Sequence, residues 1–181
     1  MATHGMIDLE TLGVNPDSVI MTLGAVKFDP FSDVEPHSPI YLKGDVEEQT
    51  ESLKRSVDEN TLEWWGKQSK EIQEEAFGED TKRVNCNELT KQLNKWCVGL
   101  DYIWCQGPTF DFVILQDFYK NVGKPVPWNY WQIRDSRTLF SMMPYDPRKD
   151  IQEDLHNALA DCYFQAKSVQ KAYKNFGVKK R

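Results

Sequence analysis

The sequence predicts a mixed α/β fold, a five-stranded sheet flanked by helices, on three observations. Three short apolar runs separated by turn-rich stretches occupy the segment up to Lys43. From Glu47 to about Leu100 the pattern changes to a charged, helical periodicity. Beyond it, short apolar runs alternate with amphipathic segments, so the order is three strands, helices, strand, helix, strand, helix.

The first strand is expected over residues 5–10, where a period of two places Asp8 and Glu10 on one face. Val19 to Phe28 is apolar on both faces, as a central strand requires, and Ser38 to Lys43 supplies the third strand. V-N-P-D-S and D-P-F-S-D between them suit tight connections. D-E-N-T-L-E-W-W-G-K-Q and N-E-L-T-K-Q-L-N-K-W-C belong to a helical insert covering the sheet. Tyr102 to Cys105 reads as a short buried strand. Thr109 is the expected N-cap of a helix beginning F-D-F-V-I-L, with Asp111 in its first turn, where the helix dipole favours an anion. Trp131 to Ser136 is the expected last strand, followed by a Pro/Asp/Arg loop from Met143 to Asp154. Leu155, Leu159, Cys162, Ala166, Val169, Tyr173 and Phe176 then recur at steps of four and three, an amphipathic helix with Asp161 at the edge of its apolar stripe. His156 belongs in the turn before that helix, with Asn157 as its N-cap.

With 181 residues, 40% apolar and 12% aromatic, the chain suits one folded domain over 1–181. A net charge of −6 argues against coating long nucleic acid, though not against gripping a strand end. Cys86, Cys97, Cys105 and Cys162 lack zinc-ligand spacing and read as free thiols filling a core in a reducing cytoplasm. No leader pattern and no membrane-length apolar stretch is present, so a soluble, intracellular protein with no membrane partner is expected.

The chemistry lies in carboxylates from distant segments: Asp8 and Glu10 in M-I-D-L-E-T-L-G, Asp111 in G-P-T-F-D-F-V-I-L, and Asp161 in H-N-A-L-A-D-C. Each abuts an apolar run, and none has a basic residue beside it. Near an interior such acids persist by binding cations, and oxygen-only donor sets suit hard ions such as Mg²⁺ or Mn²⁺ together with substrate phosphates. Two divalent cations about 3.5–4 Å apart would serve an in-line phosphoryl displacement. Asp8, after the apolar Met6-Ile7 pair, is the best placed to bridge them, with Glu10, Asp111 and Asp161 completing the ligand set. His156, the histidine adjoining an acid motif, is the candidate general base.

D-L-E-T-L-G, then F-D, then H-N-A-L-A-D resemble the three motifs of the DEDDh 3'-to-5' exonucleases, the superfamily of ribonuclease T and polymerase proofreading domains. The resemblance implies a ribonuclease H-like fold, Asp8, Glu10, Asp111 and Asp161 as catalytic metal ligands, and His156 as general base. A narrower resemblance, to the exonuclease A group of T-even-type phages and related bacterial exoribonucleases, rests on T-L-E-W-W-G-K-Q-S, G-P-T-F-D and R-D-S-R-T-L. It implies the host cytoplasm for a phage-encoded chain. It also implies a single-stranded 3' end as substrate, released as nucleoside 5'-monophosphates. Thr11, Leu12 and Gly13 would flank the terminal nucleotide. Related enzymes are often dimers that lend each other basic surface, so a homodimer is a further expectation.

Phe110 or Trp65 would stack on a base, at about 1–3 kcal/mol per base. Phe110 reads equally as a core residue. Trp64 and Trp65 diverge by about 100° on a helix, so one of them belongs to the core. Arg137 reads as a partner of Asp135 or Asp146 more readily than as a phosphate contact, and His4 and His37 read as exposed and functionless. Three rival functions remain at this level: an oligonucleotide or structured-RNA-end specialist, a silent nucleic-acid-binding module, and a metal-free carboxylate hydrolase acting on sugars.

Overall fold

The computed structural model describes residues 3–78, 82–150 and 156–180. Its centre is a five-stranded sheet of order β3-β2-β1-β4-β5. β1 (His4–Thr11), β2 (Ile20–Phe28) and β3 (His37–Lys43) run as an antiparallel meander, and β4 (Tyr102–Cys105) and β5 (Ile133–Asp135) lie parallel to β1. The mixed sheet and its strands match the sequence expectation, with β1 hydrogen-bonded on both sides.

Two apolar layers sandwich the sheet. Ile7, Leu9, Leu23 and Ile103 pack under α3 (Cys86–Cys97) and α4 (Asp111–Val122). Met6, Val26 and Trp104 pack under α5 (Ser136–Ser141) and α6 (Ala158–Asn175). Every residue of β1 is buried except Asp8 and Glu10, which stand on the α6 face and are partly accessible. The β1–β2 register slips between Glu10 and Thr11, where Met21 is the extra residue, and such a bulge re-aims the side chains beside it.

The helical insert comprises a π-helical turn (Glu48–Ser52), α1 (Glu59–Gly66), α2 (Lys70–Phe77) and α3. Asp58, Ser69 and Asn85 each accept a first-turn amide, which is why the three α-helices start where they do. Asn157 caps α6 as expected, accepting from the amides of Leu159 and Ala160. The apolar stripe of α6 holds at Cys162, Ala166 and Val169, while Phe176 is exposed and Leu155 lies outside the described residues.

Two expectations are corrected. Thr109 does not cap α4: the cap position is Phe110, without a side-chain bond, because Gly107 at φ +116° turns the chain and its carbonyl takes the amide of Phe110. His4 is 3% exposed rather than solvated. Its ring is caged by Phe28, Tyr102, Trp104 and Tyr173, its Nδ1 accepts from the Trp104 indole at 3.0 Å, and burial lowers its pKa to about 4. The four cysteines are free and buried, as expected of core residues. Among the described residues no helix is long and apolar enough to cross a membrane.

Candidate active site

Asp8 and Glu10 come from the central strand, Asp161 from the first turn of α6, and Asp111 from the first position of α4. Asp8, Glu10 and Asp161 can each present an oxygen within 4.8 Å of the others. Asp111 approaches from behind: its Oδ1 accepts from the Leu9 amide at 3.2 Å, one residue along β1 from Asp8.

Gly24 is what lets α6 come this close. It pairs with Asp8 across the β1–β2 ladder, and a Cβ there would meet the Ala158 carbonyl carbon at 2.3 Å. The Cys162 thiol donates to the Gly24 carbonyl at 3.2 Å, seating the helix one residue beyond Asp161.

Burial raises the Asp8 carboxyl well above the usual range, and the charges of Asp111, Glu10 and Asp161 push it further. The Asp111 carboxyl, 4% exposed, rises to about 7, chiefly through burial. Its own backbone amide, the Leu9 amide, the Cys105 thiol and the positive charge of Arg137 hold it back. A set of oxygen donors that desolvate and repel one another fits divalent cations, whose charge would relieve both costs. Gln165 adds to that fit: its Nε2 donates to Asp8 Oδ1 at 3.2 Å, while its Oε1 is buried with no hydrogen-bond partner among the described residues.

Sequence reading missed Gln165, although it lies four residues after Asp161 and so shares its helix face. Arg137 pairs with neither Asp135 nor Asp146 through its guanidinium. Asp146 is taken by Arg148, Asp135 caps α5 through the Arg137 amide, and the guanidinium donates to the Gln106 carbonyl at 3.2 Å. It packs beside Gly107, whose Cβ position lies at an ordinary van der Waals distance, 3.6 Å, from the Arg137 Cζ.

A cleft of about 370 Å³ opens beside the acids, lined by Glu10, Thr11, Gly13, Trp64, Trp65 and Phe110. Leu12, expected to flank a nucleotide, is buried with Val19 and Met21. The expectation that Trp65 offers a stacking face is also corrected. Trp65 is 2% exposed and its indole N–H is spent on the Thr11 carbonyl at 3.1 Å, whereas Trp64 is 39% exposed. His156 occupies the turn before α6 at φ +36°, a positive angle uncommon outside glycine, and its ring meets that of Trp64 edge-on at 4.6 Å.

Residues 3–173 match the family described as the 3'-5' exoribonuclease Rv2179c-like domain. The chain belongs to this family. This exonuclease domain is 26% identical over 158 residues to the exodeoxyribonuclease of Enterobacteria phage T4, covering 74% of this chain and 68% of the relative. Its fold is similar to that of E. coli exonuclease I in complex with a dT13 oligonucleotide, with a TM-score of 0.71 and 14% identity over 98% of this chain. It is similar also to that of cell-death related nuclease 4, with a TM-score of 0.67 and 18% identity over 97% of this chain. The domain spans 42% of the exonuclease I chain and 64% of the other nuclease. The five-stranded mixed sheet flanked by helices is thus the ribonuclease H-like exonuclease fold.

Proposed function

We propose that the domain hydrolyses single-stranded nucleic acid from its 3' end, releasing nucleoside 5'-monophosphates. The carrying observation is the convergence of Asp8, Glu10 and Asp161 within 4.8 Å beside the cleft. Asp111 backs the same strand at Leu9. The oligonucleotide bound to exonuclease I supports a single-stranded substrate, and the exoribonuclease family and the phage exodeoxyribonuclease leave both sugars to be tested.

In this reading Asp8, Glu10, Asp111 and Asp161 would hold two divalent cations, Mg²⁺ or Mn²⁺, which would supply positive charge for the phosphodiester as charge builds on its oxygens. Thr11, Gly13, Trp64 and Phe110 receive the terminal nucleotide, with ring faces that read no base edge, so little sequence preference follows. His156 takes a proton from the attacking water onto an imidazole nitrogen, a role worth about 10²–10⁴ in rate. Gln165 orients Asp8, and Arg137 tempers the negative charge on Asp111. The second subunit of a homodimer would add basic surface to an acidic protein.

The test is time-resolved digestion of 5'-labelled single-stranded DNA and RNA of equal sequence, with Mg²⁺, Mn²⁺ or EDTA, using wild type and His156→Ala. A descending ladder that EDTA abolishes and His156→Ala slows at least a hundredfold is the expected result. Intact substrate in every lane would leave a binding module, and cleavage that survives EDTA would overturn the cation assignment.

A further inference from the structure

The helical insert reaches the His156 turn at two independent points. From α1, the Trp64 ring stands nearly perpendicular to the imidazole, 83° between planes and 4.6 Å between centroids. Trp65 braces Trp64 at 5.0 Å and lies 6.5 Å from the same imidazole, and its other side is closed by Phe77 of α2 at 5.6 Å. From α2, Glu75 Oε1 accepts from the side-chain amide of Asn157, the residue after His156, at 3.5 Å. Glu75 is in turn held by the buried Lys43, whose ammonium lies 3.4 Å from its carboxylate, and by the Tyr41 hydroxyl.

Two features make these contacts more than packing. His156 sits at φ +36°, a backbone conformation that a β-carbon disfavours, and its ring is in direct contact with Trp64. Trp64, besides touching the imidazole, lines the cleft together with Glu10, Thr11 and Phe110. One indole therefore has one side on the space offered to the terminal nucleotide and another on the proposed base.

We infer that Trp64 is a positioning residue, which sets the His156 imidazole and couples that setting to occupancy of the cleft by the 3'-terminal nucleotide. The inference rests on the assignment of His156 as general base and of the cleft as the nucleotide site. A nucleotide seated in the cleft bears on the indole, and the indole's edge fixes the ring behind it. Misplacing a reacting group by about 1 Å can cost on the order of 10² in rate, so loss of this brace is felt in kcat. Trp64 is partly exposed, and its removal leaves the core residue Trp65 in place.

The experiment is a double-mutant cycle on kcat and KM with a labelled single-stranded oligonucleotide, using wild type, Trp64→Ala, Trp64→Phe, His156→Ala and Trp64→Ala/His156→Ala. Trp64→Ala is expected to lower kcat by about ten- to a hundredfold, and Trp64→Phe, which keeps an aromatic edge, to recover most of it. In the His156→Ala background Trp64→Ala should change kcat by less than about twofold, because its effect passes through the missing ring. An equal loss in both backgrounds, or no loss with His156 present, overturns the inference. A second readout does not depend on turnover. The imidazole C–H resonances of His156, assigned by their absence in His156→Ala, should shift when adenosine 5'-monophosphate is added to wild type and stay still in Trp64→Ala. If His156→Ala keeps wild-type kcat, the base assignment fails by itself. The coupling then stands if AMP moves the resonances through Trp64 and falls if it does not.

Discussion

Replacing Asp111 by Asn should abolish digestion and yet stabilise the cation-free protein at alkaline pH. Asp111 is 4% exposed and its carboxyl is raised from 3.8 to about 7, mainly by burial. A carboxyl raised on folding binds protons more tightly in the native state, so its contribution is fully present below about pH 4 and is lost as pH rises toward 7. A shift of about three units at 1.36 kcal/mol each is on the order of 4 kcal/mol of strain carried by the ionised native state at pH 8. Asparagine removes the charge and keeps an Oδ1 to accept from the Leu9 amide. Urea unfolding in EDTA should therefore show the variant more stable than wild type at pH 8, by up to about 2 M in midpoint for a slope near 2 kcal/mol/M. The two should converge at pH 4. Mg²⁺ or Mn²⁺ should close the gap from the other side, stabilising wild type by about 2.7 kcal/mol at a hundred times its dissociation constant. A variant no more stable than wild type at pH 8 in EDTA would refute the idea that the site holds charge against its own repulsion.

Gly24→Ala should place a methyl against the Ala158 backbone, destabilise by about 1–3 kcal/mol in a thermal melt, and cut digestion at least tenfold as α6 carries Asp161 away. Full activity in that variant would show that α6 need not sit so close. His4 falls to a pKa of about 4 on folding, so its contribution is present above pH 6.5 and lost as pH drops toward 4. Against His4→Gln, wild type should lose about 3 kcal/mol of relative stability between pH 7 and 4 in parallel urea titrations. Arg55 buries its guanidinium among the Ser18 and Pro16 carbonyls, Asp117 and Asn121, holding the loop that follows Gly13. Arg55→Ala should cost about 3 kcal/mol in chemical unfolding, and Arg55→Lys should rescue little because a single ammonium cannot span those acceptors.

The strands were legible because β1 and β2 are buried on both faces and only Asp8 and Glu10 interrupt β1. The helix cap at Asn157 was legible for the same local reason, a side chain suited to free amides next to an apolar stripe. Thr109 misled because a glycine turn can begin a helix without a side-chain cap, and the φ of Gly107 is not written in the letters around it. His4 misled through its neighbours in sequence, whereas its aromatic cage arrives from β2, β4 and α6. The tryptophan pair was resolved only as one in and one out. Leu62 of the same helix is exposed, so α1 has no stripe to tell which ring turns inward. Glu75 and Asn157 are 82 residues apart and no local rule connects them.

The acids are mounted on supports of different stiffness. Asp8 and Glu10 ride a strand that is laced to neighbours on both edges, and they open only when the sheet does. Asp161 rides the end of a helix resting on a glycine seat. The site is therefore a caliper with one jaw built into the sheet and the other seated on it, and its gauge is set at Gly24. Substitutions far along the underside of α6, remote from any carboxylate, can retune the gap between the jaws without altering a single acid.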